Sequence, residues 1–352
     1  DVAPSRGLGD VYKRQIQVES SLQALKDLAL LYRNNLDVKV VGITGSVGKT
    51  STKETISSVL SEKYRVLKTL GNFNNEIGLP LTVFRLTEDD EVAVLEMGIS
   101  DFGEMDRLSK IAQPDICVIT NIGFCHLENL GTRDGILKAK TEIFNHMNPD
   151  GIVIVNGDDD KLSTISQVHG KRPLVFGISN KDGVYADNIK SLGLDGTSFT
   201  IHGIKTSDNY STFDLTVPVP GHHMVYNAMA AALVGSVLGL SSIEIERGVK
   251  NLKTIAGRNN IIKENGFTII DDCYNANPVS MKASLDVLDT AIGRKVAILG
   301  SMFELGENEK QMHYDVGMYL GTKDIDVLIT AGDLAAPVSY THLRAHETEL
   351  HL

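Results

Sequence analysis

The chain has 352 residues, enough for two domains with sizeable cores, and its 42% hydrophobic and 22% charged content excludes collagen-like, disordered and disulfide-scaffold classes. Lys plus Arg total 34 against 45 for Asp plus Glu, a formal charge of -11, which argues against nucleic acid or an anionic membrane surface as the main partner and for small molecules. Three cysteines without a CxxC pair leave an odd thiol, as expected of a reduced, cytoplasmic chain, and a monomer is expected.

Residues 1–15 show neither periodicity nor a helix cap and read as a non-native segment, while 16–35 read as a linker helix. From 36 to 252, apolar β-branched runs at 38–44, 92–96, 116–121 and 152–156 are each followed by a turn and a helix-like segment. That alternation predicts a parallel sheet covered by helices on both faces. Between Asp182 and Pro220 the pattern shortens to alternating runs at 198–202 and 212–217, an antiparallel annex to the same domain. The longest apolar stretch, 224–240, contains Asn227 and Ser236 and is short for a membrane span, so it predicts a buried helix and no membrane insertion. A second helix is expected near 243–252, and Thr254-Ile255-Ala256-Gly257 reads as a hinge. It opens a second alternating unit, 253–337, with runs at 267–271, 295–300 and 324–330. The fold class is therefore α/β: a P-loop-type, mostly parallel sheet in the central domain with an antiparallel annex, followed by a partial Rossmann-like C-terminal domain. Residues 338–352 read as a non-native tail; its His346 and His351 form an HExxxH run, five apart and off the shared helix face that an HExxH zinc site needs.

Thr44-Gly45-Ser46-Val47-Gly48-Lys49-Thr50-Ser51 follows a predicted strand and opens a helix. Its glycines let backbone N–H groups close around phosphate oxygens, Lys49 brings a cation toward the β and γ phosphates, and the Thr50 hydroxyl suits Mg2+. The general GxxxxGK[ST] pattern differs in having Ile43 at its first glycine. Glu96 ends the run at 92–96, at the strand edge where open α/β sheets bind ligands, and reads either as a magnesium ligand or as a capping carboxylate. His126, beyond Thr120-Asn121, stands open between a structural imidazole and a metal ligand. Lys140 by itself reads as a solvated helix lysine.

Taken in order, the 45–51 loop, the 72–80 segment around Asn74-Asn75-Glu76, Leu95-Glu96-Met97-Gly98, the 120–126 segment and the 140–144 segment resemble the motifs of the Mur ligases of peptidoglycan synthesis. Asp271-Asp272-Cys273-Tyr274-Asn275-Ala276-Asn277-Pro278 and Gly300-Ser301-Met302-Phe303-Glu304-Leu305-Gly306 are similar to the branch that joins D-Ala-D-Ala to UDP-N-acetylmuramoyl-tripeptide. The resemblance implies an ATP-dependent, ADP-forming ligase in which the tripeptide carboxylate is phosphorylated and the dipeptide amine attacks the acyl phosphate. It implies phosphate binding by Gly45, Ser46, Gly48, Lys49, Thr50 and Ser51, and two Mg2+ sites, one at Thr50 and Glu96 and one at His126 and a carbamylated Lys140. Carbamylation would turn a repelling cation into an oxygen ligand. Lys49, Glu96, His126 and Lys140 would carry catalysis.

The same resemblance implies that Asn227 meets adenine, with Met224 where the family has Asn, and that Arg258, Asp272, Tyr274 and Asn275 reach the nucleotide from the second domain. Asn74, Asn75 and Glu76 would meet the tripeptide, and Asn277, Glu304 and Leu305 the dipeptide, with Ser301 replacing the family's Asp. It also implies a preceding uridine-nucleotide domain that has no counterpart ahead of the helix near 18–31, so that low turnover is expected of this polypeptide. Two alternatives stay open: a folylpolyglutamate-type or diamino-acid-adding ligase, against which the 274–278 run argues, and a P-loop regulatory NTPase, whose NKxD signature Asn180-Lys181-Asp182 lacks.

Overall fold

The computed structural model describes residues 16–339, so the 1–15 segment, the HExxxH run and nearly all of the 338–352 tail lie outside the described residues. Strands β1 (Lys39–Thr44), β2 (Val66–Lys68), β3 (Val92–Glu96), β4 (Ile116–Ile119), β5 (Ile152–Asn156), β6 (Leu174–Gly177), β7 (Val184–Ser191), β8 (Thr197–His202) and β9 (Thr212–Val217) form one sheet in the order β2-β3-β1-β4-β5-β6-β7-β8-β9. Pairing is parallel from β2 through β7 and antiparallel from β7 to β9. The annex thus continues the parallel sheet. β1 is apolar without a break because both of its faces are covered: Val41 and Ile43 enter one core, and Val40 the core on the opposite face.

Helices α1 (Ser21–Asn34), α2 (Lys49–Leu60), α3 (Gly78–Val83), α4 (Glu104–Ala112), α5 (Leu127–Leu130), α6 (Arg133–Thr141), α7 (His223–Val237) and α8 (Ser242–Lys250) wrap that sheet. α2, α7 and α8 fill the first core, and α1, α3, α4 and α6 the second. α7 is apolar all round because it is buried all round, and its alanines and Gly235 let it lie close to α2. A Cβ at Gly248 would meet the Val59 Cα at 2.4 Å, so the α2–α8 crossing depends on that glycine. α1, expected as a linker, docks on the domain: Ser20 caps it by accepting from Gln23 N, and the buried Arg33 guanidinium donates to the carbonyls of Leu36, Val38 and Ala112.

Beyond residues 254–257, β10 (Asn260–Glu264) and β11 (Phe267–Asp271) form an antiparallel hairpin, followed by α9 (Pro278–Asp289), β12 (Val296–Gly300), α10 (Glu309–Leu320) and β13 (Val327–Ala331). β12 and β13 pair in parallel, as their alternation predicts. The run at 267–271 does not join them. Asn265 and Gly266, both at positive φ, make the tight turn that pairs it with β10 instead. A separate small core of Met281, Leu285, Met302, Leu305, Val316 and Leu320 supports this unit.

Candidate functional site

β1 is flanked by β3 on one side and β4 on the other, while the chain itself passes from β1 through α2 to the edge strand β2, so the loop after β1 sits over the crevice where an open sheet binds ligands. Gly48 is left-handed (φ 80) and begins α2. Gly45 has φ +151, and a Cβ there would fall 1.9 Å from Thr120 Oγ1. The loop is pinned from the end of β4. Ser46 N donates to Asn121 O (3.0 Å), Val47 N to Asn121 Oδ1 (3.0 Å), and Asn121 Nδ2 and Thr120 Oγ1 both donate to Val47 O (2.9 and 2.6 Å). Lys49 Nζ donates to Gly45 O at 2.8 Å, within the cradle itself.

Glu96 closes β3 with only 2% of its surface exposed. Its Oε1 accepts from Thr50 Oγ1 (3.2 Å) and Asn74 Nδ2 (2.9 Å), whereas the buried Oε2 has no hydrogen-bond partner. A buried carboxylate oxygen left open beside a hydroxyl and a phosphate cradle suits Mg2+, which binds through one or two carboxylates together with phosphates and water. Among the described residues no three His, Cys, Asp or Glu side chains gather into a self-sufficient cage. The donor set therefore fits an ion that shares its ligands with a nucleotide.

Lys140, at the end of α6, is buried, contrary to the solvated helix lysine expected from its local sequence: α6 turns Ile136, Ala139 and Lys140 inward together. Burial, reinforced by the charge of Lys49, pushes its amine down to about 8. His126 has φ 51 and begins α5; burial holds its imidazole below the usual range. Its Nδ1 lies 2.6 Å from Glu304 Oε2, so a neutral ring donates from Nδ1 and leaves Nε2 with a free lone pair.

A cleft of about 510 Å³ runs from the loop to the second domain, lined by Gly48, Thr52, Tyr226, Asn227, Arg258 and Asp272 among others. Asn227 Oδ1 accepts from Thr52 Oγ1 at 3.0 Å and lies beside Gly48, while its Nδ2 donates to Met224 Sδ at 3.2 Å. The Arg258 guanidinium lies over the Tyr274 ring, 4.1 Å from the centroid. Asp272 accepts from Asn259 N (3.1 Å) and from the Ser284 hydroxyl, and burial raises its carboxyl above the usual range. Tyr226 donates to Asp158 Oδ2 at 2.9 Å, and Asp158 also accepts the backbone N–H groups of Ile178, Ser179 and Asn180, fixing the cleft wall.

The chain matches the Mur ligase middle domain over residues 43–235 and the Mur ligase, glutamate ligase domain over 257–348. It is 41% identical over 337 residues to the UDP-N-acetylmuramoyl-tripeptide–D-alanyl-D-alanine ligase of Bacillus subtilis (strain 168), covering 95% of this chain and 71% of that protein. The chain belongs to the Mur ligase family. The solved structure of MurF from Acinetobacter baumannii superimposes with a TM-score of 0.85 at 35% identity, over 94% of this chain and 73% of that one. That of the MurF ligase from Thermotoga maritima in complex with ADP gives 0.83 at 32% identity, over 93% and 74%.

The remaining residues singled out in this Mur ligase fall into two groups. Asn74 lies on Glu96, as above, and Ser46 belongs to the loop itself, with Lys49, Thr50 and Ser51 in the first turn of α2 that continues it. Asn75 Oδ1 accepts from Ile77 N and Gly78 N (3.1 and 2.8 Å) and starts α3. Glu76 accepts from Arg107 Nε and Nη2 (2.5 and 3.2 Å) and Lys26 Nζ (2.9 Å), and the Arg107 bond chiefly holds its carboxyl below the usual range. Asn277 caps α9 by accepting from Val279 N and Ser280 N (3.0 and 2.9 Å). Asn275 is exposed and accepts from Ala276 N, and Leu305 is buried in the second-domain core. Asn121 and Lys53, absent from the expected set, lie nearer the loop and Glu96 than several residues in it. Lys53 stands one helical turn past Lys49, which was the available signal.

Proposed function

We propose that this Mur ligase joins D-Ala-D-Ala to UDP-N-acetylmuramoyl-tripeptide with conversion of ATP to ADP and phosphate, in the cytoplasm and as a monomer. The observation that carries the reading is the meeting of the phosphate cradle, the open Glu96 oxygen and the buried Lys140 amine at one sheet edge, facing the domain that bears the 274–278 run. A tripeptide carboxylate oxygen attacks the γ phosphorus and the bond to the β oxygen breaks, releasing ADP. The dipeptide amine then attacks the acyl carbon, loses a proton and displaces phosphate. Neither step needs a protein nucleophile; both need charge neutralisation and alignment.

Loop N–H groups and Lys49 hold the β and γ oxygens, and Asn227 and Arg258 fix the nucleoside and phosphate ends. Thr50 and Glu96 would hold one Mg2+, and His126 with carbamylated Lys140 a second; bound there, the ions would neutralise the transferring phosphoryl group. A neutral Lys140 amine forms the carbamate by adding through Nζ to CO2 with loss of a proton, and an amine titrating near 8 supplies the neutral form at cellular pH. No helix among the described residues is long and apolar enough to cross a membrane.

Mass spectrometry of reaction mixtures detects the pentapeptide product even at low turnover. Product that requires ATP and both substrates is expected. ATP hydrolysis indifferent to tripeptide and dipeptide, with no ligated product, would establish the regulatory NTPase reading instead.

A further inference from the structure

Lys53 is among the most buried side chains of the molecule, at 1% exposure, although it is a lysine. Its Nζ donates to Thr69 O (2.8 Å), pairs with Glu54 Oε1 (3.1 Å) and stands 3.8 Å from Glu96 Oε2. Glu54 is itself paired with Lys68. Thr69 ties the arrangement together, since its hydroxyl accepts from Glu96 N (3.0 Å) while its carbonyl accepts from Lys53. The ammonium is thus too far from Oε2 to hydrogen-bond with it and near enough to act on it by charge.

We propose that Lys53 is a built-in counter-ion of the Glu96 site, a positioning residue that keeps the carboxylate in place and holds the site's own affinity for a divalent cation low, so that the ion is taken up with the nucleotide. This rests on the assignment of Glu96 as a metal ligand. Two effects fix the direction. Without a metal, loss of Lys53 leaves a buried carboxylate uncompensated, which is strongly destabilising. With a divalent ion beside Oε2, loss of Lys53 removes a repulsion between a single and a double positive charge a few ångströms apart in a poorly screened site. Both effects favour ion uptake in the variant.

The test is Mn2+ binding by electron paramagnetic resonance, with and without ADP, together with thermal denaturation in EDTA and in Mg2+. Lys53→Met is expected to bind Mn2+ ~10-fold or more tightly than the parent chain, to melt lower in EDTA and to recover more of that loss with Mg2+. Lys53→Gln, which keeps a donor for Thr69 O without the charge, is expected to show the same tightening with a smaller loss of stability. In a Glu96→Gln background, Lys53→Met is expected to leave Mn2+ affinity unchanged. Unchanged or weaker Mn2+ binding in the folded Lys53 variants, tightening that persists with Glu96→Gln, or failure of both variants to fold would overturn the proposal. Undiminished Mn2+ binding by Glu96→Gln alone would instead overturn the metal assignment of Glu96.

Discussion

At the scale of single residues, the buried Lys140 carries a cost in stability that its proposed carbamate would explain. Its folded amine titrates near 8 against an ordinary value of 10.5, so between those values the unfolded chain binds the extra proton and stability rises with pH. Below pH 8 the burial penalty is fully present, and a shift of this size corresponds to ~3 kcal/mol. Lys140→Met is therefore expected to stabilise the chain by up to ~3 kcal/mol at pH 7 in bicarbonate-free buffer, with the gain vanishing toward pH 10.5. Urea midpoints across that range check it, and a destabilised variant at pH 7 would refute it. The same titration would govern the proposed adduct: 13C-bicarbonate NMR is expected to show a carbamate signal that grows as pH rises through about 8 and is absent from Lys140→Met. Nothing in Lys138-Ala139-Lys140 distinguishes the two lysines; only the packing of α6 buries the second, which is why sequence alone made it a surface residue.

At the scale of elements, the strand-loop-helix order around Lys49 and the carboxylate ending β3 were legible because both follow from runs of apolar residues that stop at a sheet edge. The roles of the asparagines were not, because an Asn in a loop reads alike as a ligand, a turn or a cap. Asn75 and Asn277 give their side-chain oxygens to helix starts, and Asn277→Ala is expected to lower stability by ~1 kcal/mol, read from thermal denaturation. Asn121 is different. It mimics a strand partner by bonding both backbone groups of Val47, so it shapes the cradle without belonging to it. Two such bonds are together worth ~1–3 kcal/mol, and Asn121→Ala is expected to weaken ADP binding ~10-fold. Calorimetric titration decides this, and an unchanged affinity would mean that the loop holds its form unaided. The 260–271 hairpin departs from the alternating pattern because Asn265-Gly266, a strong turn signal, folds β11 back on β10.

At the scale of the whole molecule, what sequence spacing could not supply is the distance between the domains. Arg258 and Asp272 share a cleft with Asn227 and Gly48 only because the chain turns back after α8. Among the described residues, few polar contacts span that junction: His223 with Asn259 Nδ2 at 3.1 Å, and His126 with Glu304. The Glu304 side chain is 56% exposed, and a pair so open to water contributes under ~1 kcal/mol. A junction held by so little leaves room for a nucleotide bound as proposed, between Asn227 and Arg258, to set the spacing of the two walls by its own contacts. Glu304→Ala is accordingly expected to weaken ADP binding less than ~5-fold. Arg258→Ala removes a guanidinium already held in place over Tyr274 and is expected to weaken it ~10-fold or more. Isothermal titration of both variants separates the possibilities. If Glu304→Ala lost as much affinity as Arg258→Ala, the bond to His126 would be the latch, and the nucleotide would bind to a cleft already shut.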